Sequence, residues 1–527
     1  MTAAGHVSAH SMSDSVPHEP VNEYEHERVP DSALLGLKSF VGQYAGEHVA
    51  GTELMIGPLF VASGVSAFDL VFGLLIGNLL AVLSWTFMTA PIATRARFTL
   101  YHQLEQVCGR KLVVLYDAAN GVMFTLLAGA MITVSATALG VGFKFRMPGL
   151  NDLLPNSVGW VIAVLVVGGL FTVVAAYGYK ALARFANVAA PWMVVMFLAF
   201  GIVALSRFKT SSGVNIASVG DLWNLAKDVI WKGGDAFPGR VKFTFWHVMF
   251  FAWFCNMAWH IGMADLTVLR YARKSWYGLA SAAGMYLGHF MAWICAAMLY
   301  ALQLYEVNLT PAELKALADA GLLESFKSRE FLLTASKINE LIQAGVWQGP
   351  PAVLPGPMAF HACGMAGLLL VVIAGWTTAN PTLYRAGLAF QAIAPGSSRF
   401  RATICTGLVA SLTAVFPLVT MRLLDFVALW GMILMPMGAI IFADFWLLRR
   451  FGMAPYRAAI YGLTWNWAAA MAWFVTVIVC TALVLSGGVP IFFVGLPGWF
   501  IATALYVGLS RLGRRRPAIA VKRQNAY

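Results

Sequence analysis

Gly42-Gln43-Tyr44-Ala45-Gly46-Glu47-His48-Val49-Ala50-Gly51-Thr52-Glu53 lies inside the first long apolar run of the chain, residues 36–62. Two carboxylates and an imidazole in such a run are costly at membrane depth and by default mark a functional site. Gly46 and Gly51 weaken a helix there, so the run reads as a membrane helix broken near its middle. A sixth run, 243–265, carries Asn256-Met257-Ala258-Trp259-His260-Ile261-Gly262-Met263-Ala264-Asp265. His48 to Leu54 and His260 to Leu266 share one order: His, branched apolar, small, two variable residues, an acid, Leu. A five-plus-five inverted repeat makes the first and sixth spans equivalent, and breaks at corresponding positions point to a binding site at the midplane.

The rest of the sequence agrees with a membrane protein. Hydrophobic residues make up 59% of the 527 and charged residues 11%, and mean hydropathy is +0.72. A soluble domain carries roughly 45–50% apolar and about 25% charged residues, so a soluble enzyme is excluded. Twelve runs approach the ~20 apolar residues that cross a bilayer: 36–62, 68–92, 113–142, 157–177, 186–206, 243–265, 276–304, 359–380, 402–421, 424–447, 463–485 and 490–510. The expected class is therefore all-α integral membrane, with twelve transmembrane helices. Repeat one covers about 36–206, repeat two about 243–447, and two extra helices about 463–510, within a domain of 34–510.

The net charge of +12 comes from short basic clusters between the runs, so it signals topology and not nucleic acid. With the N-terminus inside, the inner loops hold Arg95, Arg97, Arg110, Lys180, Arg270, Arg273, Arg385, Arg399 and Arg449, while the short outer loops hold only Lys144, Arg146 and Arg422. Both termini are expected in the cytoplasm, with the protein in the cell membrane. Residues 1–33 are polar, lack the pattern of a signal peptide, and read as a disordered tail. Residues 511–527 form a basic tail. The six cysteines show no metal or disulfide spacing. In the long outer loop 305–357, Thr310-Pro311-Ala312-Glu313 is a capping box with Pro at the first helical position. It predicts a small helix over the outer face, closed by Gly321.

Several segments carry a family likeness. They are Leu75-Ile76-Gly77-Asn78-Leu79-Leu80, Ala264-Asp265 before Arg270-Tyr271-Ala272-Arg273, Trp376-Thr377-Thr378-Ala379-Asn380-Pro381-Thr382-Leu383-Tyr384, and Ala443-Asp444-Phe445. In this order they resemble the cytosine/purine permease branch of nucleobase:cation symporter family 1. The likeness covers most of the chain, although 305–357 looks foreign to that branch.

The resemblance implies a LeuT-like fold of ten core helices plus two, with alternating access and a cation driving uptake of a flat heterocyclic base. For sodium it implies the carbonyls of Glu47, Ala50 and Ala374 and the hydroxyls of Thr377 and Thr378. Residues 374, 377 and 378 share a helical face, and sodium is a hard cation that takes oxygen ligands. The same hydroxyls can instead bond back to their own helix. The Glu47 carboxylate can add a ligand or carry a proton, so the coupling ion is Na+ or H+. No other cofactor is expected.

For substrate, the resemblance implies Gly51, Glu53, Asn120, Met123, Cys255, Asn256, Ala379 and Asn380. Met123 stands where the family stacks a Trp, and Asn380 is displaced by one residue from the family's Asn, a turn of about 100°. These departures leave the substrate open among nucleobases, ureides and other polar solutes. Asp117 reads as lying at the inner headgroup level, and Asp265 as an inner gate or an ion pair to the Arg270-Arg273-Lys274 cluster. Trp259 and His260 read as lining the site or facing neighbouring helices, and His289 and His361 stay open. No hydrolase triad or phosphate loop appears, so the chain reads as a non-enzyme. The expected function is cation-coupled import of a nucleobase or related small heterocycle. The alternatives are a transporter of an amino acid or amine on the same fold, or a membrane sensor without transport.

Overall fold

The computed structural model describes residues 24–25, 27–149, 152–237, 239–255, 257, 259–306, 311–319, 321, 342–343, 345, 353–418 and 423–513. The expected tails, Asn256 and most of the 305–357 loop lie outside these residues. Among the described residues the chain is helical, with two isolated bridges in place of any strand.

The first run is two helices, as its glycines predict. Helix α1 (Leu37–His48) stops at Val49, whose backbone leaves the helical region, and α2 (Glu53–Ala62) starts after Ala50-Gly51-Thr52. Then come α3 (Ala67–Ala96), α4 (Leu100–Cys108), α5 (Arg110–Phe143), α6 (Val158–Ala176) and α7 (Tyr179–Ser212). Ser66 caps α3 by accepting from the Asp69 amide, and Thr99 caps α4 in the same way through His102.

The sixth run is broken too. Helix α8 (Phe245–Phe254) ends early, the described residues 255, 257 and 259–265 are not in regular helix, and α9 (Leu266–Leu269) follows. Met263 sits at φ +62° in this stretch. Beyond it lie α10 (Ser275–Tyr305), α11 (Pro311–Asp319), α12 (Pro355–Ile393), α13 (Arg399–Ala414), α14 (Phe426–Arg450), α15 (Trp467–Leu485) and α16 (Ile491–Leu512).

Among the described residues nine helices are long and apolar enough to cross a membrane. Three of the twelve expected spans are not among them: the two broken runs, and α13, which is 16 residues long. Helix α11 forms where the capping box predicts it and buries Leu317, while Thr310 itself lies outside the described residues.

The core is formed by close approach of backbones at small residues. Helix α12 leaves helical geometry at Cys363 and Gly364; it lies along α5, with Gly375 after that kink against Ser135 and Gly356 before it against the Thr137 carbonyl. The Gly356 amide also donates to Thr137 Oγ1 at 3.0 Å. Helix α10 meets the broken end of α1 at Gly288, where an added Cβ would stand 1.9 Å from the His48 carbonyl oxygen. Neither backbone can yield without moving the break. Gly288→Ala is therefore expected to cost about 1–3 kcal/mol of stability, the range for overpacking. A thermal melt of the purified variant checks this, and an unchanged melting temperature contradicts the packing.

Candidate functional site

The two broken runs meet at a buried ion cluster. Glu47 stands at the end of α1 and Asp265 at the end of the second break, immediately before α9. Arg385 reaches both from α12: Nη1 donates to Glu47 Oε1 at 2.5 Å, and Nη2 donates to Asp265 Oδ1 at 2.6 Å and Glu47 Oε2 at 3.3 Å. The three side chains are 5%, 0% and 1% exposed for Glu47, Asp265 and Arg385.

Three more donors hold the carboxylates. Trp259 Nε1 donates to Glu47 Oε1 at 3.1 Å, Trp85 Nε1 to Asp265 Oδ2 at 2.6 Å, and the Tyr44 hydroxyl to Asp265 Oδ2 at 3.2 Å. The guanidinium also lies 5.7 Å from the ring centres of both Phe124 and Trp259. Two carboxylates against one guanidinium leave one surplus negative charge.

This cluster corrects two expectations. Arg385 is not in an inner loop. Pro381 removes only the bond that the Thr377 carbonyl would accept, and α12 continues to Ile393. Asp265 does not pair with the nearby basic cluster. Arg270 instead donates to the carbonyls of Thr267 and Tyr24 and to the Tyr271 hydroxyl.

A cavity of about 60 Å³ adjoins the cluster, between the α1–α2 break, Cys255, Trp259, Thr378 and His289. Its acidic and imidazole walls are Glu47, Glu53, His48 and His289, and among the described residues no Lys or Arg lines it. Glu53 accepts from Trp293 Nε1 and from the Thr52 hydroxyl. Among the described residues no cation is paired with it. His289 stacks on Trp293 with centroids 4.2 Å apart and meets His48 at 5.1 Å.

Of the five expected sodium ligands, the structure joins three. Thr378 Oγ1 donates to the Glu47 carbonyl across the break and to its own Ala374 carbonyl, both at 3.1 Å. Thr377 Oγ1 donates to Ala374 at 3.0 Å and otherwise meets Met193 Sδ, so both hydroxyls bond back to their helix. The Ala50 carbonyl accepts from the Glu53 amide at 3.2 Å, at the start of α2.

Of the expected substrate residues, Glu53 and Cys255 line the cavity. Gly51 forms the break against Val134 and Gly375. Asn256 is outside the described residues. Asn120 donates to the Tyr101 hydroxyl at 3.0 Å, which in turn donates to the Arg385 carbonyl at 2.9 Å, so it packs beneath the cluster. Met123, Ala379 and Asn380 are buried and do not reach the cavity.

Phe124, one residue after Met123, is the aromatic that meets Trp259 edge-on at 5.3 Å. Phe124, Arg385 and His289 were therefore missing from the sequence-based set. A signal for Arg385 exists in the spacing, since it lies seven residues and two turns after Thr378 on one helical face.

No protein-family model matches the chain, and no curated protein matches it in sequence. Solved structures do match. Mhp1, a nucleobase-cation-symport-1 family transporter, closed with bromovinylhydantoin bound, is 14% identical with a TM-score of 0.59, over 94% of this chain and 96% of that one. Mhp1 in its inward-facing conformation is 14% identical with a TM-score of 0.57, over 92% and 94%. A Na+-coupled sialic acid symporter, outward-open and substrate-bound, is 12% identical with a TM-score of 0.56, over 92% and 91%. At such identities the likeness is one of fold: the chain is an all-helical, multi-pass membrane protein with the LeuT-like fold of these transporters.

Proposed function

We propose that the chain is a cation-coupled symporter that imports a nucleobase or a related N–H-rich heterocycle by alternating access. It would cross the cell membrane twelve times, with both termini in the cytoplasm. The observation that carries the proposal is the Glu47–Arg385–Asp265 cluster, whose surplus negative charge adjoins the contact between Thr378 Oγ1 and the Glu47 carbonyl. A monovalent cation there brings the cluster to neutrality. Sodium suits the carbonyl and hydroxyl oxygens gathered there.

The ion would take the carbonyls of Glu47, Ala50 and Ala374 and the hydroxyls of Thr377 and Thr378, drawing α1 and α12 together. The substrate would occupy the adjoining cavity. Glu53 accepts its N–H groups, and the Trp259 and His289 rings, which line the cavity, offer faces or edges to a flat solute. An amino-acid carboxylate is disfavoured, because among the described residues no Lys or Arg lines the cavity. An amine remains the second reading, favoured by the unpaired Glu53. One cation moving down 100 mV supplies about 2.3 kcal/mol, enough for roughly 50-fold accumulation.

Thr378 touches both helices, whereas Thr377 faces Met193. Thr378→Val is therefore expected to raise the half-saturating sodium concentration more than tenfold, and Thr377→Val less. Uptake in proteoliposomes at graded sodium checks this. Equal sodium dependence in Thr378→Val and the parent chain contradicts the ion site.

A further inference from the structure

A second, narrow cavity, of about 10 Å³, with room for one water-sized particle, lies between α4, the first turns of α5 and the last turns of α12. It is separated from the ion cluster by the layer in which Asn120 holds Tyr101 and Tyr101 holds the Arg385 carbonyl. Asp117 lines it. This side chain is fully buried, and neither carboxylate oxygen has a hydrogen-bond partner among the described residues. Gln391, also buried and lining the cavity, leaves Oε1 without a partner in the same way. Arg110 lines it too, but its Nη2 donates to the Ile393 carbonyl at 2.9 Å. Glu25 and Glu105 also line it, each with its own partner at 4.0 Å, Arg399 and His102, so Asp117 is the carboxylate left to be balanced.

The orphaned atoms are all oxygen acceptors. A buried carboxylate without donors is costly, and what such a set lacks is a positive charge. Oxygen donors select a hard cation. Among the described residues no group of three or more acidic, His or Cys side chains could hold a metal ion, so the charge on offer suits a single monovalent ion of about the size of a water.

We propose that Asp117 and Gln391 form a second, weaker sodium site on the cytoplasmic side of the ion cluster, the last station of the coupling ion before release. The inference rests on the reading of the chain as a cation-coupled symporter.

The test is equilibrium binding of ²²Na+ to the purified full chain, titrated over sodium concentrations from below the half-saturation of the tighter component to saturation of both. The parent chain, Asp117→Asn, Gln391→Leu and Thr378→Val are compared, with and without a stabilising nucleobase. Asp117→Asn is expected to bind one sodium fewer per chain and to keep the component that the base enhances. Thr378→Val loses that component and keeps the other. Gln391→Leu weakens the second component severalfold and serves if Asp117→Asn does not fold. Sodium binding unchanged in Asp117→Asn, or in Gln391→Leu when it stands in, overturns the inference, since Asp117 is then a protonated acid in a site without an ion. Absence of any sodium binding in the parent chain overturns the symport reading itself, which keeps the two failures apart.

Discussion

Arg385→Met abolishes uptake and lowers stability by about 3–5 kcal/mol, the cost of removing one partner from a buried ion pair. The size of the effect follows from what is left behind: Glu47 and Asp265, both buried and without their shared guanidinium. Adding Glu47→Gln and Asp265→Asn removes both stranded charges, so the triple variant recovers most of the melting temperature. It does not recover transport, because the charge that the coupling ion balances is gone. Arg385→Lys keeps the charge but not the fork that bonds two carboxylates at once, and its uptake falls at least tenfold. Thermal melts and proteoliposome uptake of the three variants decide the matter. A stable, active Arg385→Met contradicts the cluster's role.

Glu53→Gln is the second large effect. Glu53 lines the main cavity, and no cation is paired with it among the described residues. A hydrogen bond to a charged group contributes about 1.5–3 kcal/mol, so substrate affinity falls by roughly 10- to 150-fold. The amide keeps an oxygen for Trp293 but turns donors towards a donor-rich solute. Sodium dependence stays, because Glu53 is not among the proposed ion ligands. Equal substrate affinity in Glu53→Gln and the parent chain removes Glu53 from the substrate site.

The breaks were legible in the sequence because their chemistry is local. Gly51 beside Glu47 and Glu53, and His260 to Asp265 in an apolar run, do not fit an unbroken membrane helix, and the chain leaves the helix at both places. Thr378 and Ala374 were placed through the family likeness, and the structure joins them to Glu47.

Arg385 was not legible, because an Arg four residues after a Pro looks like a loop cation. Its burial depends on two carboxylates that are 338 and 120 residues away in sequence. The α5 aromatic that packs on Trp259 was missed by one residue. Along the 34 residues of α5 a register error of one turns a side chain by about 100°, and this separates Met123 from Phe124. Asp117 was assigned to the headgroup level from its place near the start of a span. Its burial comes from α12 running past Pro381 to cover it.

The most direct test of the central claim is uptake of labelled nucleobases into proteoliposomes containing the purified chain, with sodium or potassium outside and an inside-negative potential. The account predicts uptake of a base that requires outward sodium, rises with the potential, and is outcompeted by related heterocycles but not by amino acids. Base uptake that proceeds equally in potassium, or sodium-driven uptake of amino acids alone, contradicts it.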